Sequence, residues 1–236
     1  MTESVPHRAM VIMAHPDDIE YFVGGTVARW SAAGCDVTFV LTTSGESGCD
    51  DPTLSRQQLA ALRQAEQRAA ARVLGVEQVL FLDAPDGEVA PTLELRRQLV
   101  ANIRRCRPDA VIVPDPTRYY FFEQGYVNHP DHRATGEAAL AAISPAATNP
   151  RYHPELLAEG LKPHQVTQIW LAMPPEPDHW VDITDVFETK LAAMDCHASQ
   201  ISDPTSWEQS LRRSSAFEGM DGLVGYREGF RRLMIA

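Results

Sequence analysis

Residues 9–18 read Ala-Met-Val-Ile-Met-Ala-His-Pro-Asp-Asp, an apolar run that stops abruptly at a cluster of polar, chemistry-bearing side chains. Ala9 to Ala14 is long enough for a buried strand and too short for a helix. Beyond it, Phe22 to Ala33 spreads apolar positions at helical spacing and closes on Gly34, and Val37 to Thr43 is a second apolar run. The stretch therefore predicts strand, helix, strand. The pattern repeats downstream: Ser55 to Leu74 predicts a helix opened by a Ser55-x-x-Gln58 capping box and closed by Gly75, followed by a strand over Gln78 to Asp83. A helix over Thr92 to Cys106 then leads into the apolar run Ala110 to Val113. Strands alternating with helices imply right-handed crossovers and an α/β fold, with a mostly parallel sheet covered by helices on both faces.

The second half is less regular. Asp131 to Ile143 predicts a helix with Pro130 in its first turn, Ser144 to Pro163 a long loop or short helical pieces, and Thr167 to Met173 a strand. The Met173-Pro174-Pro175-Glu176-Pro177 segment cannot continue a ladder and turns the chain toward a short strand at Trp180 to Asp182. Thr184 to His197 predicts a further helix. The final thirty residues, with Trp207, Phe217, Tyr226 and Phe230, read as helix and packing. No repeat or linker interrupts the 236 residues, so one domain over 1–236 is expected.

Net charge of −11 excludes the basic field that a phosphate-backbone partner requires, so no nucleic acid is expected. The polar N-terminus and the absence of a long apolar run predict no integral membrane segment and a cytoplasmic location. Cys35, Cys49, Cys106 and Cys196 form no CxxC pair and read as reduced thiols. A homo-oligomer is compatible with all of this.

In a parallel sheet, ligands bind beyond the carboxyl ends of the strands, where His15-Pro16-Asp17-Asp18 falls. A histidine and a carboxylate three positions apart can converge on one cation, and Pro16 stiffens the loop. Two adjacent aspartates repel if both are merely packed. A divalent cation that binds one and leaves the other for proton transfer accounts for the pair. The second cluster, His129-Pro130-Asp131-His132, follows a loop rich in Tyr and Phe that could wall a pocket. Its two histidines project to one side of a helix start: one can complete a metal site while the other donates a proton or a hydrogen bond, and spacing leaves open which does which. Gly24-Gly25 lacks the GxGxxG context of a dinucleotide loop and reads as packing. The loop Thr43 to Gly48 and the Asp86-Gly87 turn lie at the same sheet edge, and Glu46 and Asp86 are taken as candidate substrate contacts.

On Ala14-His15-Pro16-Asp17-Asp18 and His129-Pro130-Asp131-His132, extended through Thr43 to Gly48, Asp86-Gly87 and His197-Ala198-Ser199-Gln200, the chain resembles the PIG-L/LmbE-like zinc deacetylases. The resemblance implies a Rossmann-like sheet with the metal site at the carboxyl ends of its strands. It also implies hydrolytic removal of an acetyl group from the nitrogen of an N-acetylglucosamine-containing small molecule. By it, His15, Asp18 and His132 are metal ligands, Asp17 the general base, His129 the acid or oxyanion-stabilising group, and Asp131 a carboxylate tuning a nearby histidine. The implied cofactor is Zn²⁺, though iron(II) or another divalent metal suits the same donors. Arg56, Arg63 and Arg118 are either surface residues or contacts for an anionic aglycone, and Pro116 to Asn128 matches no defined substrate class. Two rivals stand beside this reading. An iron(II) oxygenase explains the triad but not Asp17, and a non-catalytic sugar- or metal-binding protein on the same fold needs neither Asp17 nor His129.

Overall fold

The computed structural model describes residues 5–49, 51–122, 125–219 and 222–235. The first half alternates as its periodicity demands: β1 (Arg8–Met13), α1 (Asp18–Ala32), β2 (Asp36–Leu41), α2 (Arg56–Val73), β3 (Gln78–Phe81), α3 (Leu93–Cys106) and β4 (Ala110–Pro114). A hairpin of β5 (Tyr120–Phe121) and β6 (Tyr126–Val127) leads to α4 (Pro130–Ala141) and the short α5 (Pro154–Ala158). Then come β7 (Gln168–Ala172), β8 (His179–Asp182), α6 (Phe187–Met194), α7 (Pro204–Ser215), β9 (Ala216–Glu218) and β10 (Val224–Met234).

The main sheet runs β3-β2-β1-β4-β7-β10-β8, with β9 also paired to β10. From β3 to β7 every pairing is parallel, and β10 enters antiparallel to both β7 and β8. The sheet is therefore mostly parallel, as expected, with an antiparallel edge. Alternate side chains of β1 enter opposite cores: Ala9, Val11 and Met13 pack with α1, while Met10 and Ile12 pack with α3 and α4. The order reverses between β1 and β4, which opens a crevice at their carboxyl ends. Both polar clusters follow these two strands. A doubly wound sheet of this kind is not the jelly roll that the oxygenase rival requires.

Local chemistry explains the boundaries. The Ser55 side chain accepts from Gln58 N–H and the Gln58 side chain reaches back, completing the capping box. Helix α1 begins at Asp18, four residues ahead of the predicted start, because its first turn mixes the core residue Ile19 with the buried polar residues Asp18 and Glu20 and so breaks the apolar spacing. The reading of Gly24-Gly25 as packing holds at Gly25, where a Cβ would lie 2.6 Å from Ile183 Cδ1.

The reading of the C-terminus needs correction. After α7 the chain does not stay helical but forms β10, an eleven-residue strand inside the sheet. Arg227, Glu228, Arg231 and Arg232 hide its alternation. Glu228 is buried, accepting from Lys190 Nζ (2.6 Å), Gly25 N–H (2.9 Å) and both the N–H (2.7 Å) and hydroxyl (2.6 Å) of Thr26. A carboxylate so supplied tolerates a core position that composition alone would refuse it.

Both members of the Lys190–Glu228 pair lie almost wholly out of solvent. Removing one partner of such a pair leaves an uncompensated buried charge. Lys190→Met is expected to lower unfolding free energy in urea by about 3 kcal/mol, with Lys190→Met/Glu228→Gln losing less. Equal losses in the two variants would contradict the pairing.

Candidate active site

At the end of β1 the chain turns sharply, and Asp18 governs the turn: its Oδ2 accepts from His15 N–H at 2.8 Å. Asp17 adopts φ 92°, ψ −27°, a left-handed conformation unusual for a residue other than glycine. Arg63, from α2, braces this loop. It is buried, with one amino group on Gly45 O (2.8 Å) and the other on Pro16 O (2.7 Å) and Asp17 Oδ2 (2.9 Å).

Helix α4 brings the second cluster. His129 is its N-cap and Pro130 its first residue, so Asp131 and His132 enter the first turn facing the crevice. His132 Nε2 lies 3.1 Å from Asp18 Oδ1, while its Nδ1 lies 2.9 Å from Asn128 Oδ1. An amide oxygen only accepts, so Asn128 places the ring proton on Nδ1 and leaves the Nε2 lone pair aimed at Asp18. His15 is oriented likewise. Its Nδ1 is 3.4 Å from Asp18 Oδ2, and its Nε2–H sits between Asp86 Oδ1 (3.1 Å) and Asp131 Oδ2 (3.3 Å). Asp131 is itself fixed by the Gly87 and Val89 N–H groups. His129 Nδ1 accepts from Asp131 N–H at 3.2 Å, which puts its ring proton on Nε2.

Ligand atoms of His15, Asp18 and His132 lie within 4.8 Å of one another, as do those of His15, His129 and Asp131. The first set fits a divalent cation better. Its two imidazoles have their far nitrogens committed to carboxylates or to an amide oxygen, the arrangement that fixes metal-ligating histidines, and three protein ligands leave a position open. In the second set His129 Nδ1 is occupied by a backbone donor.

The two adjacent aspartates are driven apart electrostatically. Burial pushes Asp17 up to about 6, assisted by Asp18 and opposed by Arg63. Burial would raise Asp18 also, but His132 and His15 hold it well below the ordinary carboxylate range. Burial opposes charge on His15, yet its bonds to Asp131, Asp18 and Asp86 raise its pKa well above that of free imidazole. Burial works against the Asp86 charge as well, but His15 and Ser47 N–H bring it to about 2. Burial, then His15, lowers His129, which is therefore neutral at pH 7.

Two hollows meet at Asp17, Tyr126 and His132. One, of about 400 Å³, is polar and includes His15, Ser47, Gly48, Asp86 and His129. The other, about 540 Å³, is walled by aromatic rings including Tyr21, Phe22, Trp180 and Trp207. The structure thus brings together His15, Asp17, Asp18, Asp86, His129, Asp131 and His132. Glu46 is a correction. It lines a separate hollow, and its Oε1 accepts from Asp86 N–H (2.9 Å) and Arg56 (3.1 Å), so it supports the Asp86 turn instead of facing the site. Arg63 is not on the surface: it is buried at the edge of the polar hollow, with its amino groups committed to Gly45, Pro16 and Asp17. Arg56 stays on the surface, and Arg118 lines the aromatic hollow, stacked over Phe121. Asn128 and Gln67 were not singled out by sequence. The spacing of Asn128 four residues before His132 was the available signal for the first, and a buried polar stripe on α2 for the second.

The PIG-L family profile, described as GlcNAc-PI de-N-acetylase, matches residues 10–143. A diacetylchitobiose deacetylase of Thermococcus kodakarensis is 35% identical over 226 residues, covering 95% of this chain and 82% of the relative. A probable N-acetyl-alpha-D-glucosaminyl L-malate deacetylase 2 of Bacillus anthracis is 30% identical, covering 82% and 81%. The solved structure of N,N'-diacetylchitobiose deacetylase from Pyrococcus horikoshii, complexed with its inhibitor MPG, superposes with a TM-score of 0.88 at 36% identity, covering 97% of this chain and 84% of that one.

If Asn128 sets the His132 tautomer, Asn128→Leu will weaken zinc binding about 10- to 100-fold in a chelator competition, whereas Asn128→Asp will retain it. Unchanged affinity in Asn128→Leu would contradict the assignment.

Proposed function

The chain belongs to the PIG-L family, and from that premise we propose that it is a zinc-dependent N-deacetylase, working in the cytoplasm on an N-acetylglucosamine-containing small molecule. The observation that carries the reading is the divergence of Asp17 and Asp18. Adjacent in sequence, they point apart: Asp18 faces His15 at 3.4 Å and His132 at 3.1 Å, while Asp17 turns to Arg63 at 2.9 Å. Such a split suits one carboxylate to ligation and the other to proton transfer. The four cysteines are all unpaired, which supports the reducing compartment. Among the described residues no helix is long and apolar enough to cross a membrane.

His15, Asp18 and His132 would hold the cation, which when bound supplies Lewis acidity toward the amide carbonyl and acidifies water. The remaining work falls to side chains. Asp17 takes a proton from the attacking water as the new C–O bond forms at the amide carbon. His129, neutral and carrying its proton on Nε2, donates a hydrogen bond to the carbonyl oxygen as negative charge builds there. Of the two roles left to His129 by sequence, its tautomer and lowered pKa favour this one over proton donation. A protonated Asp17 then delivers its proton to the nitrogen as the C–N bond breaks, releasing acetate and the free amine. The aromatic hollow would take whatever the sugar carries, with ring faces suited to the C–H surfaces of a sugar.

Acetate release from a panel of N-acetylglucosaminides, after chelation and after restoring zinc or iron(II), tests the activity. We expect release restored by zinc. No release from any member by protein holding stoichiometric metal would favour the binding-protein rival. Asp17→Asn is expected to keep its metal and lose about 10²- to 10⁴-fold in kcat. His129→Ala should lose about 10²- to 10³-fold in kcat with KM little changed. Full activity in Asp17→Asn would remove the base assignment.

A further inference from the structure

The left-handed backbone at Asp17 is what lets two consecutive carboxylates point to different partners, Asp17 to Arg63 and Asp18 to the histidines. An L-residue does not settle there without being held. Part of the hold is a chain of buried side chains behind the site. Asp17 N–H donates to Gln67 Oε1 at 3.1 Å, Gln67 Nε2 donates to Glu20 Oε1 at 2.7 Å, and Glu20 Oε2 receives His197 Nε2 at 3.1 Å. Gln67, Glu20 and His197 are each 0% exposed, and none lines either hollow of the site.

The chain has a direction. A backbone N–H can only donate, so the Gln67 amide must present its oxygen to Asp17 N–H, and this turns its NH₂ toward Glu20 Oε1. His197 Nε2 meets the second Glu20 oxygen, so both carboxyl oxygens have a partner away from water. Glu66, next to Gln67 on α2, fixes the loop that carries His197 by accepting from Ser199 N–H (2.8 Å) and its hydroxyl (2.6 Å). Helix α2 thus grips Asp17 twice, by Arg63 at the carboxylate and by Gln67 at the backbone.

We propose that Gln67, Glu20 and His197 are positioning residues, a directional buried relay that holds the Asp17 backbone in its left-handed conformation and so aims the Asp17 carboxylate. The inference rests on the reading of Asp17 as general base. Filling the space is not enough for this role. An apolar side chain at 67 would occupy the volume and leave Asp17 N–H without its acceptor.

The test compares kcat, KM, bound zinc and crystal structures of Gln67→Leu and of the exchanged pair Glu20→Gln/Gln67→Glu. Gln67→Leu is expected to bind zinc stoichiometrically, keep KM within about twofold and lose about 10- to 100-fold in kcat, with the Asp17 φ relaxed from its positive value. In the exchanged pair the new carboxylate at position 67 still accepts from Asp17 N–H, and the new amide at position 20 donates to it and accepts from His197. Every donor keeps an acceptor, and kcat should recover about tenfold over Gln67→Leu. A folded, zinc-loaded Gln67→Leu with wild-type kcat would overturn the proposal, as would a loss of kcat that tracks loss of zinc. Should Gln67→Leu not fold, the exchanged pair decides: near-wild-type kcat supports the relay, and a folded, zinc-loaded but inactive protein contradicts it. Asp17→Asn separates the two levels. Its full activity would remove the base assignment and the relay together, whereas an inactive Asp17→Asn beside a fully active Gln67→Leu removes the relay alone.

Discussion

The Asp18 carboxylate joins the two halves of the site. One oxygen accepts from the His15 backbone and faces the His15 ring, and the other faces His132 at 3.1 Å. It stands at the start of α1, where unsatisfied helix amides favour negative charge, and at the crevice where the sheet order reverses between β1 and β4. Everything else in the site is arranged around keeping that carboxylate ionised and its two histidines aimed. Asn128 orients one ring, Asp86 and Asp131 the other, and backbone amides of the 86–89 turn hold Asp131 in place.

Concentrating Asp17, Asp18, Asp86 and Asp131 around two imidazoles would be costly in a dry crevice without positive charge to balance them. Among the described residues, the Arg63 guanidinium reaches these carboxylates, and it is committed to Asp17 and two carbonyls. The remaining excess of negative charge is what a divalent cation would neutralise, and the donor set is of the kind that zinc and iron(II) accept. Asp17 is held apart from that set by its backbone. Burial keeps its pKa raised, while its neighbouring carboxylates are driven the other way by their hydrogen bonds and histidine neighbours.

Much of this was legible in the sequence, for physical reasons that differ by element. The strand–helix alternation of the first half follows from uninterrupted apolar runs and from the Ser55 capping box, both local signals. The two His-Pro-Asp clusters next to strand ends pointed to a cation site but left open which histidine binds, and the set His15, Asp18 and His132 came from the family resemblance. What was not legible depends on contacts distant in sequence. The Glu228 carboxylate can occupy an inner strand only because Lys190 and the amides of Gly25 and Thr26 meet it there, so β10 looked like anything but a core strand. Likewise Arg63 reads as one more polar residue on an amphipathic helix until Pro16 and Gly45 are brought beside it, and Glu46 looks like a site carboxylate until its bond to Asp86 N–H turns it away. Which ring nitrogen carries the proton in His129 and in His132 is fixed by Asp131 N–H and Asn128, partners that only the geometry supplies.

The central claim is that one divalent cation belongs between His15, Asp18 and His132, with Asp17 and His129 beside it and free of it. Anomalous diffraction at the zinc edge from crystals grown with zinc tests this most directly. The account predicts a single strong peak bonded to those three side chains, at about 2.0–2.1 Å from the imidazole nitrogens. A peak held instead by His15, His129 and Asp131, or one bonded to Asp17, would contradict it.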